Sequence, residues 1–60
     1  MDQATARWLA RRLSVDTKRI YVAITEDHLR GQYDGPDPVW VVARWDGPPE
    51  VIRTVPGSPQ

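Results

Sequence analysis

Glycine and proline set the limits on what this chain can fold into. Gly31, Gly35, Pro36 and Pro38 punctuate residues 31–38, and Asp46-Gly47-Pro48-Pro49 forms a second break. Pro56-Gly57-Ser58-Pro59-Gln60 closes the sequence and reads as a flexible tail. Proline lacks a backbone donor and glycine leaves the backbone unrestrained, so each cluster ends regular structure. Between the breaks lie one long stretch up to residue 30 and two short runs, 39–45 and 50–55. Only the first has room for a helix of several turns.

Residues 2–13 are predicted to be that helix. Asp2 is a good N-cap type, residues 3–13 contain no glycine or proline, and Ala6, Leu9, Ala10 and Leu13 recur at i, i+3, i+4 and i+7. Arg7, Arg11 and Arg12 fall outside this apolar stripe. So does Trp8, roughly 140° from the stripe centre at about 100° per residue. A ring of that size in a small protein is expected to cover a neighbouring loop. Residues 39–45 and 50–55 are rich in β-branched and aromatic side chains and flank the Asp46–Pro49 turn, which predicts an antiparallel hairpin. Val39, Val41, Ala43 and Trp45 would share one face, and Trp40, Val42 and Arg44 the other. The edge at 50–55 would be open to pairing with another copy.

Residues 17–25 admit two readings. As a strand, Ile20, Val22 and Ile24 point one way and Tyr21, Ala23 and Thr25 the other. As a helix, Asp16 is an N-cap for Thr17-Lys18-Arg19, and the helix runs on to a stop at Gly31. The fold class is α+β either way. The helical reading ends in a hairpin. The strand reading lays the first helix on a three- or four-stranded antiparallel meander, with 29–33 as a further short strand.

Leu9-Ala10, Leu13, Ser14, Val15 and Ile20 resemble the helix-turn-helix pattern of DNA-binding regulators. A hairpin following such a unit resembles the wing of winged-helix or phage-excisionase-type proteins. The resemblance implies that small Ala10 lets a second helix pack close, that Leu13 and Ile20 fill the angle between the helices, and that Val15 plugs the turn. Ser14 stands where the family has glycine. Thr17, Lys18 and Arg19 would then meet a major groove, and Arg7, Arg11 and Arg12 the phosphates of double-stranded DNA.

Charge and composition narrow the functional classes. The net charge is zero. Residues 1–24, however, carry five cations against two carboxylates (+3), and residues 25–60 carry three against six (−3). The basic half suits an anionic partner. Sixty residues make one small domain, taken as 1–55 with 56–60 as its tail. There is no cysteine, hence no disulfide or thiolate site, and His28 stands alone, so neither metal nor cofactor is expected. Glu26, Asp27 and His28 are adjacent, and adjacent side chains diverge on a helix or a strand. They read as a polar turn capped by Thr25, and the protein is not expected to be an enzyme. The longest apolar run, 39–43, is too short to span a membrane and no signal segment is evident, so a cytoplasmic location is expected. Trp8, Tyr21, Trp40 and Trp45 are more large rings than so thin a core needs. They mark a candidate protein interface, with a partner protein or a second copy as the occupant.

Overall fold

The computed structural model describes residues 1–48 and 50–56. The sequence expectations for Pro49 and for the tail at 57–60 lie outside the described residues. In chain order the elements are α1 (Gln3–Thr17), β1 (Tyr21–Thr25), α2 (Glu26–Leu29), β2 (Trp40–Arg44) and β3 (Val51–Ile52). The strands form one antiparallel sheet in the order β1-β2-β3, with α1 packed across one face. The arrangement is α+β, and of the two readings of 17–25 it is the strand that forms.

α1 begins where its cap chemistry places it. Asp2 is extended, and its carboxylate accepts the Thr5 backbone N–H at 2.9 Å. Hydrogen bonds from Thr5 hold the Asp2 carboxyl below its ordinary pKa. The helix ends four residues later than the apolar stripe suggests. Thr17 Oγ1 donates to the Leu13 carbonyl at 2.7 Å, and Ser14 is tied to Tyr21 of the sheet, so tertiary contacts hold the last turn. Lys18 then takes a left-handed conformation (φ 57, ψ 32) that reverses the chain into β1.

The core is thin. Ala6, Leu9 and Ala10 of α1 meet Val42 of β2, with Met1, Leu13, Tyr21, Ala23, Trp40 and Ile52 packed around them. The two largest fully buried side chains are valines, Val41 and Val42. They point to opposite faces of β2, so the central strand is covered on both sides. On the face away from α1, Leu29 of α2 lines a cavity of about 300 Å³ with Ala43, Trp45 and Val51. Thr25 caps α2, its Oγ1 accepting the His28 N–H at 3.2 Å and donating to the Asp34 carboxylate. Gly31, at φ +77, turns the chain after α2.

Four expectations are corrected. No helix forms over 17–25: Tyr21–Thr25 pairs residue for residue with Trp40–Arg44. The β-branched side chains of this segment favour that pairing, and the β2–β3 ribbon alone would be marginal in water. Consequently Ser14 and Val15 remain helical, the turn falls at Lys18, and Val15 and Ile20 are exposed instead of filling an interhelical angle. Asp16 lies inside α1, paired with Arg12 at 3.5 Å, and caps nothing. Residues 29–33 form no strand, because Leu29 ends α2 and Gly31 carries the turn. Finally, Trp8 covers no loop. It is 53% exposed, with the Arg12 guanidinium 5.8 Å from its ring centroid.

Candidate peptide-docking groove

The alternation of an antiparallel ladder decides which backbone groups of β1 are available. Trp45 N–H donates to the Ile20 carbonyl at 2.8 Å, and Glu26 N–H donates to the Val39 carbonyl at 2.9 Å. Ile20, Val22, Ile24 and Glu26 therefore turn their backbone groups toward β2, and Tyr21 and Ala23 turn theirs toward the open edge. Tyr21 is already occupied there. Ser14 Oγ accepts its N–H at 3.0 Å and donates to its carbonyl at 3.3 Å. Ala23 N–H and C=O have no partner among the described residues.

This open edge forms one wall of a groove of about 500 Å³. The other wall is the flank of α1, where Gln3, Arg7, Ala10 and Arg11 lie, and Trp40 also lines the space. Gln3, Arg7 and Arg11 recur at four-residue intervals, one turn apart on the same side of the helix. Ala10 is small enough to let the sheet edge approach, and the space between the basic helix and the bare strand is shallow and open to solvent.

The electrostatics single out the same wall. Arg12 pairs with Asp16, Arg30 with Asp27, Arg44 with Asp46 and Arg53 with Glu26. Asp46 is pulled in two directions. Desolvation raises its pKa, but the Arg44 side chain and the Ile20 backbone outweigh that and hold it below the ordinary value. Among the described residues Arg7, Arg11, Lys18 and Arg19 have no acidic partner within salt-bridge distance. All four belong to α1 or to the turn that follows it. The excess positive charge of the N-terminal half is thus concentrated beside the groove and in the turn at its end.

The residues singled out from sequence separate into two sets. Arg7, Arg11, Tyr21 and Trp40 come together in the groove. Trp8 carries the Arg12 guanidinium over its ring and shares the adjoining surface of α1 with Arg7 and Arg11, Thr17 is bonded back to Leu13, and Lys18 and Arg19 lie exposed in the turn. Trp45, 65% exposed, belongs to the opposite face of the sheet. Gln3, Ala10, Ser14 and Ala23 are groove or edge residues that the sequence did not assign to a site: Ala10 and Ser14 fall in the helix-turn-helix pattern and Ala23 on a strand face. Nothing local marks Ala23, whose availability depends on β1 being an edge strand. Ser14 carried a signal, a polar residue near the apolar stripe, but its partner is seven residues away in another element.

Among the described residues no group of three or more His, Cys, Asp or Glu is placed to hold a metal ion, and no helix is long and apolar enough to cross a membrane. No protein-family model matches the chain, and neither curated proteins nor solved structures provide a match.

Proposed function

We propose that this protein is a non-catalytic interaction module that holds an extended segment of a partner protein in the α1–β1 groove, as a strand added beside β1. The observation that carries the reading is the unpartnered Ala23 backbone facing a groove whose other wall presents Arg7 and Arg11. An added strand draws affinity from main-chain hydrogen bonds and specificity from the side chains along the groove. A single core of this size supplies about 3–5 kcal/mol, so stability gained on binding a partner would be a large share of the total.

Double-stranded DNA is the second reading, favoured by the four unpaired cations. It ranks lower because the segment that would have entered the major groove is a strand, and because the net charge is zero, whereas DNA-binding domains are usually basic.

The test is a panning experiment with displayed random nine-residue peptides, followed by NMR titration of synthetic versions. Enriched peptides are expected to shift the amide resonances of Ala10, Tyr21 and Ala23. Enrichment of peptides that perturb only the Trp45 face, or none at all, counts against the groove.

A further inference from the structure

We infer that the groove selects segments with acidic residues at alternate positions, Asp or Glu, then a β-branched apolar residue, then Asp or Glu again. The inference rests on the docking reading above and adds the chemical class of the ligand.

The spacing follows from two repeats. Arg7 and Arg11 are four residues apart on α1, which is about 6 Å along the helix axis. Side chains on one face of an extended strand recur every second residue, about 6.6 Å apart. Two carboxylates at i and i+2 therefore match the two guanidinium groups. At i and i+1 they point to opposite faces, and at i and i+4 they lie about 13 Å apart.

The facing direction follows from Ala23. Its side chain packs on the α1 side of the sheet, with Ala6, Leu9 and Ala10. Residues directly opposite each other in paired strands project to the same face. The ligand residue that exchanges hydrogen bonds with Ala23 therefore points toward α1, as do its neighbours two positions away. The intervening residues point to the other face, beside half-buried Val22 and Ile24. Apolar β-branched residues suit that face. Ser14 sets one end of the site: it occupies both backbone groups of Tyr21, so the added strand pairs at Ala23 and stops short of Tyr21.

The test uses the full chain and blocked peptides of equal composition: Thr-Val-Glu-Val-Glu-Val-Thr, with alternate acids, and Thr-Val-Val-Glu-Glu-Val-Thr, with adjacent ones. A lysine analogue of the first and a twelve-nucleotide single-stranded DNA complete the set. Affinities are measured by NMR titration. The alternating peptide is expected to bind about fivefold tighter than its isomer, the contribution of one exposed ion pair. Arg7→Glu and Arg11→Glu should each weaken it by about fivefold or more while improving the lysine analogue. Arg7→Gln and Arg11→Gln, with unchanged circular dichroism, guard against loss of fold in the charge reversals. Equal binding of the two glutamate isomers overturns the spacing rule and leaves the docking reading standing. No binding of any peptide at millimolar concentration overturns both. Tighter binding of the oligonucleotide, with the same arginine dependence, makes the groove a nucleic-acid site and overturns the inference.

Discussion

Replacing Ser14 by alanine tests whether a single hydroxyl closes the end of the β1 edge. Ser14 Oγ makes two hydrogen bonds to Tyr21, at 3.0 Å and 3.3 Å, both partly buried. Each is worth about 0.5–1.5 kcal/mol net. Alanine is the better helix former, returning up to about 0.5 kcal/mol even in the last turn of α1. The balance is a loss of about 1–2 kcal/mol. In a domain of this size that lowers the melting temperature by about 4–16 °C. With a urea slope near the lower end for small proteins, the unfolding midpoint falls by about 1–2 M. Amide exchange separates this mechanism from a general weakening of the fold. In the variant, the Tyr21 amide should exchange much faster than the Val22 amide, which remains bonded to β2. A variant with unchanged midpoint, or one in which the two amides accelerate equally, would refute the reasoning.

Leu9→Ala removes the only buried leucine among the described residues and should cost about 2–5 kcal/mol. Against a net stability of about 3–5 kcal/mol the variant should show no cooperative melt by circular dichroism. Lys18 and Gly31 both have positive φ, 57° and 77°, and make opposite predictions. Lys18→Gly relieves a left-handed conformation and should raise stability by about 0.5–1 kcal/mol, whereas Gly31→Ala, with open space around it, should lower it by about 1 kcal/mol in urea titrations. The pH dependence carries a definite sign. Hydrogen bonds from Thr5 depress the Asp2 pKa in the folded state below its ordinary 3.8. The stability this contributes is complete above that value and is lost as pH falls through the lower, folded-state pKa. Asp2→Asn keeps a capping side chain that cannot titrate, so it should melt somewhat below the parent near neutrality, with the difference closing as pH falls below about 4.

The exposed rings and the thin core belong to one physical situation. A short chain cannot enclose many large side chains, because its surface is large relative to its volume. Here the fully buried positions went to alanine and valine, which pack closely between α1 and a twisted sheet, and Trp8, Trp45 and Tyr33 were left outside. Binding a partner to the folded state adds stability by mass action, so complex formation and thermal stability should rise together in this protein.

Local chemistry was enough to determine the start of α1, its apolar stripe, the pairing of the two hairpin strands and the polar cap at Thr25, although the second strand, expected over 50–55, is only Val51–Ile52. A cap, a 3.6-residue period and a Gly-Pro turn act over a few residues and can be read from them. Residues 17–25 could not be decided that way, since β-branched residues behind a good N-cap suit both a strand and a helix. Pairing with Trp40–Arg44, fifteen or more residues distant, made the segment a strand and carried α1 on to Thr17. The candidate site divides along the same line. Arg7 and Arg11 were visible as off-stripe cations, whereas the open Ala23 backbone and the Ser14 bridge exist only once β1 is the edge of a sheet. Which hydrogen-bonding groups remain unpaired is a property of strand order, and strand order is set by contacts between distant parts of the chain.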